Sequence, residues 1–439
     1  MNNLKEVENN IRQWTKEYVL NVGLPELDIV FIDGVGAIIK DIKGREYLDF
    51  CAQTSNVVVG HKCERIINAA IEQMNKLSFC TMLAMNEPKA KFAKLMNDIT
   101  DRSLKYVYTV SGGSEANESA IKLARRARSK VGGYKIMSYL GAYHGATYGA
   151  VSLTGLAICK PVSAGPDIAG AVHVQMPYCY RCAWGKNYPG CDLECARNIE
   201  SYLMQEGTDR YAGIIMEPII SAKGVIIPPK EYVKKVREIT KKYGIILIFD
   251  EIVDGFGRTG KMFAYEHFDV VPDILTLGKG ISSGYAAFAA MVVNEELGKL
   301  GYYPYYHGFT MSGYPLANAI AHENVKVIIE DNLVENSATV GKYFLEKLNE
   351  LKNEFGIIGD ARGLGLLLSI EIVEDKKSKI PNLKVGEQVW RLCADEGLLM
   401  HLAARDDTVN LEFCPPLIIT REQVDRATDI LEKVFKKVK

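Results

Sequence analysis

Little in this sequence points to a membrane, a secretory route or nucleic acid. The 439 residues have a formal net charge of −1 and a pI near 6.7, so there is no basic excess to attract a polyanion. Residues 1–8 lack the apolar stretch of a signal peptide, and the apolar run at 285–293 is far too short to cross a bilayer. We therefore expect a cytoplasmic protein without a nucleic-acid or membrane partner.

The composition is 48% hydrophobic and 24% charged, which is typical of a soluble globular protein. Through the middle of the chain, strand-like runs alternate with helix-like segments, and this alternation predicts a mostly parallel sheet. The strands of this sheet are predicted at residues 106–110, 135–139, 213–216, 245–249 and 274–277, with a helix at 115–128. The sequence therefore predicts an α/β fold.

Outside this alternation the pattern is mixed, and the length favours more than one domain. Helices are predicted at residues 7–19, 63–98, 317–329, 340–355, 385–396 and 421–437, and strands at 37–41, 46–49 and 366–372. We predict a large domain at residues 61–318. Residues 1–60 and 319–439 are predicted to form a smaller α+β domain together.

Asp250 and Lys279 each stand just past a short run of buried-type strand residues. Such runs are typical of central parallel strands, and ligands of open α/β sheets bind beyond the carboxyl ends of these strands. A carboxylate that holds a pyridinium nitrogen and a lysine that forms a Schiff base are the protein's two main contributions to a pyridoxal-phosphate site. The pair therefore predicts that chemistry.

Residues 111–118 follow a predicted strand and open a predicted helix. The glycines allow close approach of the backbone, and the first-turn amides with the hydroxyls can seat an anion. Taken alone, the segment is better explained as a helix capped by Ser111 or Ser114. Together with Asp250 and Lys279, a phosphate site that includes Gly113 and Ser114 is the better interpretation.

Two further strand ends carry candidate site residues. Tyr143, beside His144, follows one strand, and a tyrosine there can lay its ring on a planar cofactor. Glu217 follows another strand and places a second carboxylate at the same edge of the sheet. The alternatives are a loop aromatic for Tyr143 and a helix-cap or surface acid for Glu217.

The run at residues 255–260 matches the glycine spacing of a dinucleotide-binding turn and nearly matches a P-loop. A dinucleotide turn leads directly from a strand into a helix, but Asp250 and Glu251 intervene here and no clear helical pattern follows. A P-loop needs Ser or Thr after its lysine, and Met262 takes that place. We therefore reject both interpretations.

Four of the ten cysteines cluster with spacings of two, eight and three residues between them in a loop-like stretch. Thiols at this spacing could ligate a structural Zn²⁺ ion, whereas disulfides are disfavoured in a reducing compartment. A surface loop with free cysteines is the slightly favoured alternative. The four candidate ligands are Cys179, Cys182, Cys191 and Cys195.

Taken together, these stretches resemble the class III aminotransferases of fold type I, which depend on pyridoxal 5′-phosphate (PLP). The matching stretches run in the family's order at residues 111–118, 143–145, 215–218, 249–252, 255–260, 277–280, 307–310 and 415–417. The resemblance implies a large domain with a mostly parallel, seven-stranded sheet between helices. It also implies a homodimer, or a dimer of dimers, with shared active sites.

The resemblance assigns a role to each matching position. Lys279 would hold PLP as a Schiff base and carry a proton between the substrate and the cofactor, while Asp250 would pair with the pyridinium nitrogen. Tyr143 and Ile252 would pack on opposite faces of the ring, and Thr310 would reach the phosphate of the neighbouring subunit. The implied PLP contacts are Gly113, Ser114, Tyr143, His144, Glu217, Asp250, Ile252, Lys279 and Thr310.

Substrate residues are implied less directly. Ser55, Glu217 and Arg405 are the candidates, with Arg405 facing a substrate carboxylate. The chain departs from the family pattern at Asp254, where many relatives have threonine, and at Tyr314, where His or Asn is frequent. It also departs in the spacing of Arg405 from the Pro-Pro-Leu motif and in the small residues at 54–56, where some amine-specific relatives have a bulky aromatic. The His-Gly-Phe-Thr form of residues 307–310 favours pyruvate over 2-oxoglutarate as acceptor.

The predicted activity is transfer of an amino group from an amine, ω-amino acid or amino acid to a 2-oxo acid. A PLP-dependent amino-acid racemase or epimerase of the same family is the alternative. Two hypotheses from other functional classes, a different kind of enzyme and a protein without catalysis, have weaker support in the sequence. A nicotinamide dehydrogenase would depend on residues 255–260 alone, and a binding-only protein would leave Lys279 without a role.

Overall fold

A seven-stranded sheet lies at the centre of the computed structural model, which describes residues 2–21, 23, 27–161, 165–304, 306–405 and 407–438. The strands are β1 (Phe31–Val35), β2 (Ile38–Asp41), β3 (Glu46–Asp49), β4 (Leu104–Val110), β5 (Lys135–Tyr139), β6 (Ala171–Val174), β7 (Tyr211–Met216), β8 (Ile246–Asp250), β9 (Ile274–Leu277), β10 (Ala289–Asn294), β11 (Ile358–Leu364), β12 (Leu367–Ile372), β13 (Leu398–Leu399), β14 (His401–Arg405) and β15 (Thr408–Phe413).

The helices surround this sheet and two smaller ones. They are α1 (Asn2–Tyr18), α2 (Ala52–Ser55), α3 (Glu64–Lys76), α4 (Glu87–Ile99), α5 (Gly113–Ala127), α6 (Tyr148–Leu153), α7 (Glu194–Glu206), α8 (Lys230–Tyr243), α9 (Glu295–Leu300), α10 (Pro315–Glu330), α11 (Leu333–Glu354), α12 (Leu383–Asp395) and α13 (Arg421–Lys437). Across the part of the chain that the structure describes, no helix combines the length and hydropathy that crossing a bilayer would need.

The large sheet has the strand order β4-β10-β9-β8-β7-β5-β6. Strand β10 is antiparallel to both of its neighbours, and the remaining pairs are parallel. Strands β7 and β9 are buried along their whole length, as expected for a parallel sheet that is covered on both faces. The predicted mostly parallel, seven-stranded sheet is confirmed.

Successive residues of the central strands point to opposite faces, where different helices cover them. Ile215 and Ile248 pack with the apolar side of α5, whereas Leu247 and Phe249 belong to the core that includes the apolar side of α8. Because each face of the sheet is covered by helices, the side chains at its carboxyl edge are held by a rigid, dry layer.

Two four-stranded sheets complete the fold. One has the order β1-β2-β3-β13, in which β13 from late in the chain pairs in parallel with β3. The other has the order β11-β12-β15-β14 and is antiparallel throughout. The pairing of β13 with β3 joins an early and a late part of the chain. The smaller domain formed by residues 1–60 and 319–439 stays a prediction. The boundaries at residues 60 and 318 stay predictions.

The predicted helical stretch at 63–98 is wrong as a single element. The structure has two helices there, α3 and α4, separated by ten residues without helical structure. Helix α4 begins after Asn86, whose side chain accepts a hydrogen bond from the Lys89 amide, with Pro88 in the first turn. This capping starts a new helix where hydrophobic periodicity alone suggests continuation.

Candidate active site

A cavity of about 510 Å³ lies beyond the carboxyl ends of the parallel strands. Residues that follow β4, β5, β7, β8 and β9 reach it, as expected for an open α/β sheet, and its size suits a small-molecule site. The predicted site residues that line it are Ser55, Gly113, Ser114, Tyr143, His144, Glu217, Asp250, Ile252, Lys279 and Arg405. Of the predicted PLP and substrate residues, Thr310 alone is not among the lining residues.

Lys279 follows β9 directly after Gly278, with a backbone φ of +42°. Non-glycine residues rarely adopt this left-handed conformation, and such strain is held in place by the surrounding structure, often at functional sites. Burial lowers the pKa of the Lys279 amine, while Cys414, Glu217 and Asp250 act in the opposite direction. A lowered pKa makes a lysine amine better suited to act as a base or nucleophile.

Asp250 ends β8 and is only 3% exposed. Its Oδ2 accepts a hydrogen bond of 2.7 Å from Asn117 Nδ2 and lies 2.8 Å from His144 Nδ1, and its Oδ1 accepts from the Ile252 amide at 3.1 Å. Because an ionised carboxylate only accepts, Nδ1 of His144 carries the proton. His144 was predicted as a cofactor contact, and the structure also places it as the residue that orients Asp250.

Asn117 is a buried residue of this network that the sequence analysis missed as a site residue. Its Nδ2 also donates to the His144 carbonyl at 2.7 Å, and its Oδ1 accepts from Thr276 Oγ1 at 2.8 Å. The signal was present, since Asn117 lies four residues after Gly113 and so falls on the same face of α5. Asn117 thereby ties the first turns of α5 to β8 and β9.

Helix α5 begins at the cavity without a side-chain cap. Gly112 is its N-cap, and neither Ser111 nor Ser114 accepts a capping hydrogen bond, so the simple capping interpretation is wrong. Ser114 Oγ instead accepts from the Ala146 amide at 3.1 Å. A Cβ at Gly113 would meet Ile252 Cδ1 at 2.7 Å, so a larger residue there would require the Ile252 side chain to move. The uncapped amides at the cavity provide a seat for an anion.

Glu217 is buried, with 4% exposure, and the surface-acid interpretation is therefore wrong. Its Oε1 accepts from the Tyr143 amide at 3.0 Å, and its Oε2 accepts from the Ser221 amide and hydroxyl at 3.0 and 2.8 Å. Burial raises its pKa. Glu217 thus fixes the loop that carries Tyr143, whose half-exposed ring lines the cavity.

The opposite side of the cavity is formed by β14, β15 and α2. All four residues of α2 have positive φ values between 44° and 67°, and this unusual turn places Ser55 at the cavity. Arg405 ends β14, and its Nε is buried without a hydrogen-bond partner in the described part of the chain. The lining residues here that were not predicted include His401, Glu412 and Cys414.

Comparison with known proteins shows which family builds its site in this way. Residues 20–435 match the sequence pattern of the family described as Aminotransferase class-III. The chain belongs to the class III aminotransferases. The sequence prediction of a transaminase-family enzyme is confirmed.

Relatives of this class III aminotransferase differ in their reactions. The chain is 34% identical over 411 residues to leucine/methionine racemase of Thermococcus litoralis, a match that covers 93% of this chain and 90% of that one. It is 32% identical over 410 residues to putrescine–pyruvate aminotransferase of Pseudomonas aeruginosa, with 91% and 88% covered. A Bacillus anthracis aminotransferase structure superposes with a TM-score of 0.93 at 33% identity and covers 99% of each chain. The predicted fold type I is confirmed.

Class III aminotransferases depend on PLP, and the residues of this cavity fit that group. The uncapped amides of α5 match a phosphate, and the Asp250 carboxylate, held by its hydrogen-bond donors, matches a pyridinium nitrogen. Lys279 supplies the amine, and Tyr143 and Ile252 supply flat and apolar surfaces for a ring.

Residues 255–260 have a structural role in this aminotransferase and do not line the cavity. A Cβ at Gly257 would meet Leu417 Cδ1 at 3.0 Å, and one at Gly260 would meet Ala338 Cα at the same distance. Arg258 is fully buried and donates to the carbonyls of Leu366 and Pro415. The loop therefore fastens the large sheet to the C-terminal segments, and it does not open a helix.

The four clustered cysteines line a separate small cavity of about 20 Å³. Its lining residues all come from the segment 176–195, which connects β6 to the start of α7. Their thiols are free, and burial raises the pKa of Cys195 to about 12. Within the described ranges, no group of three or more His, Cys, Asp or Glu side chains is arranged to hold a metal ion. The four cysteines line one cavity, but their thiols are not arranged around a common metal position. A structural zinc site therefore stays a prediction.

Proposed function

We propose that this chain is a PLP-dependent aminotransferase that moves an amino group from an amine, ω-amino acid or amino acid to a 2-oxo acid, with pyruvate favoured over 2-oxoglutarate. The observation that carries the proposal is the convergence of Lys279, Asp250 and the uncapped end of α5 on one cavity. These groups follow three different strands, β9, β8 and β4, and the fold of the large sheet brings them together.

Bound PLP supplies an electron sink that stabilises the negative charge left when a proton leaves the carbon bearing the amino group. Asp250 would hold the pyridinium nitrogen, and its donors Asn117 and His144 keep the carboxylate in place. Gly113 and Ser114 would hold the phosphate. Tyr143 and Ile252 would pack against the ring.

Lys279 is the proposed proton carrier. Because burial lowers its pKa, Nζ loses its own proton more readily than a free lysine and can then accept the proton from the substrate carbon. Arg405 is proposed to bind a substrate carboxylate, and its unpartnered Nε at the cavity supports this role. Ser55 and Glu217 are proposed to contact the substrate from the neighbouring walls.

A homodimer with shared sites, or a dimer of dimers, is proposed as the working form. Leu83, Met85 and Tyr306 are 82%, 99% and 77% exposed, and Tyr306 lies near Thr310 in sequence. Such exposed apolar groups fit a protein interface. Thr310, exposed and outside the cavity of its own chain, is proposed to reach the partner's phosphate site. Sedimentation should show the dimer, and Thr310→Ala should weaken PLP binding.

The reaction is tested by mixing the PLP-loaded enzyme with a ¹⁵N-labelled amino donor and pyruvate. Labelled alanine is the expected product, and it should form faster than labelled glutamate when 2-oxoglutarate replaces pyruvate. Labelled nitrogen that stays on the donor carbon would refute transamination.

Racemisation is a second candidate, which the 34% identity to leucine/methionine racemase supports. It is tested by incubating L-amino acids with the loaded enzyme in the absence of a 2-oxo acid. Formation of the D-enantiomer, with the labelled nitrogen retained, would establish it.

A further inference from the structure

Glu412 is a cavity residue to which neither the sequence analysis nor the proposed reaction gives a role. It lies on β15, between His401 of β14 and Ser369 of β12 in the strand register, and is 8% exposed. Its side chain lines the same cavity as Lys279 and Arg405. The position is therefore inside the reaction site, on the wall opposite α5.

The carboxylate of Glu412 has an open hydrogen-bonding position. Its Oε1 is buried and has no hydrogen-bond partner among the residues that the structure describes. A buried polar atom without a partner is costly, and in a native structure it calls for a ligand or a function. Glu217, in the same cavity, accepts three hydrogen bonds and has no such opening.

None of the cations around Glu412 donates a hydrogen bond to its Oε1 among the described residues. Arg362 donates to Asp360, Glu371 and Asn410. Arg405 donates through its Nη atoms to the carbonyls of Ala404 and Ala222, and its Nε makes no hydrogen bond to Glu412. Lys279 is committed to the reaction in the proposed function.

Burial raises the pKa of Glu412 to about 7, while Arg405, Arg362 and Lys279 act in the opposite direction. The charge of Arg405 acts on this carboxylate, but no cation among the described residues donates a hydrogen bond to its unpartnered oxygen.

We propose that Glu412 is a specificity residue that binds a second, non-reacting ammonium group of the amino donor. The preferred donors are then diamines or amino acids with a side-chain amine, and the equivalent molecules without that group are poor donors. This inference rests on the proposed function, because the donor must enter this cavity. The open oxygen accepts the ammonium in a charge-assisted hydrogen bond.

The test compares matched donors with the PLP-loaded enzyme and pyruvate. One pair is 1,5-diaminopentane and pentylamine, and the other is L-lysine and L-norleucine, so the two arms separate diamines from dibasic amino acids. The wild type should favour the dibasic member of at least one pair by about tenfold or more in kcat/KM. Equal or lower kcat/KM for both dibasic donors would overturn the inference.

Glu412→Gln keeps the size of the side chain and removes its charge. It should lower kcat/KM for the preferred dibasic donor by roughly 10- to 100-fold, mostly through KM, because a hydrogen bond to a charged group is lost. The matched monoamine should change by less than about threefold. An equal loss for both members of the pair would refute a specificity role.

Two controls protect this test. Glu412→Asp retains the charge and should keep a preference for the dibasic donor, and Glu374→Gln changes an exposed glutamate that does not line the cavity.

If the wild type forms no alanine but interconverts amino-acid enantiomers, the proposed transamination fails. The ratio of lysine to norleucine racemisation then tests Glu412 in the same way.

Discussion

Asp250 and Glu412 line the same cavity but lie in different hydrogen-bonding surroundings. Asp250 is held by Asn117 and His144, and by the Ile252 amide. Glu412 has an oxygen without any partner in the described residues. The difference indicates that the wall built by the large sheet is complete before any ligand binds, whereas the wall built by β14 and β15 is completed by the substrate.

This contrast follows from where each strand lies. Strand β8 is in the middle of the large sheet, and residues from α5 and the β5 loop surround its end. Strand β15 belongs to the smaller antiparallel sheet, and Glu412 lines the cavity from it with an oxygen that has no partner in the described residues. A wall whose hydrogen bonds are already formed suits a cofactor that stays bound. A wall with an unpartnered polar atom suits substrates that bind and dissociate in each turnover.

The largest effect is expected at Lys279. Lys279→Ala should lower kcat by on the order of 10³-fold or more, because both the base and the attachment amine are lost. The near-visible absorbance of the loaded enzyme should also change. Lys279→Arg keeps a long cation and should be equally inactive. Full activity in either variant would remove the basis of the proposed reaction.

Asp250→Asn should be the next most severe change. The amide cannot carry the charge that would stabilise a pyridinium, and it would turn an N–H group toward the donors Asn117 and His144. We expect roughly a 100-fold loss in kcat. Asp269→Asn, at an exposed site outside the cavity, is the matched control and should keep wild-type rates. Equal rates in the two variants would contradict the assignment.

The large sheet builds one wall of the cavity around Asp250, here called the Asp250 wall. Asn117→Ala tests whether this wall depends on the hydrogen bond that Asn117 donates to Asp250. Loss of a buried donor and acceptor should reduce the free energy of unfolding by about 1–3 kcal/mol and kcat by roughly tenfold. Thermal unfolding and steady-state rates measure the two effects. Asn349→Ala removes another helical asparagine, whose Nδ2 donates only to its own helix at Leu345, and should leave kcat unchanged.

The cavity wall that β14 and β15 build around Glu412, here called the Glu412 wall, should give the donor preference a pH dependence. Because the pKa of Glu412 is raised to about 7, its carboxyl is neutral below that pH and ionised above it. The preference for a dibasic donor over its monoamine should therefore rise several-fold between about pH 6 and 8. Glu412→Gln should abolish the rise. The charged or titratable groups that act on Glu412 or share its wall are Arg405, Arg362, Lys279, Glu217, His401 and Cys414.

The smallest effect is expected at the cysteine cavity, which lies apart from both walls. The double variant Cys179→Ser/Cys191→Ser should change kcat/KM by less than about twofold, as is usual away from special features. Treatment with a chelator should leave kcat/KM equally unchanged. A fall in Tm after chelation, reversed by Zn²⁺, would establish the zinc alternative without altering the account of the reaction.

The Asp250 wall could be predicted from the sequence, and the Glu412 wall could not. Asp250 and Lys279 directly follow uninterrupted buried runs, so their place at the edge of a sheet is a local property of the chain. Every residue of β15 is buried, and no alternation shows which side chains face the cavity. The exposure of Glu412 to substrate depends on pairing with β14 and β12, which is decided by the whole fold.

Asn117 lies in a segment that the sequence analysis did single out, but its contact with Asp250 could not be predicted. The residue falls inside a recognisable stretch, yet its role appears only when β8 and β9 are placed beside α5. The left-handed turn of α2 was likewise beyond prediction, because residues 52–55 contain no glycine to signal positive φ.

The parallel pairing of β13 with β3 has a consequence for how the protein is made. During synthesis β3 leaves the ribosome before the strands of the large sheet, but its neighbour β13 is translated only after all of them. Until then the edge of β3 has no native partner, and unpaired strand edges invite aggregation. Full-length chains should therefore fold in a late step that C-terminal truncation abolishes, even though the seven strands of the large sheet are already complete.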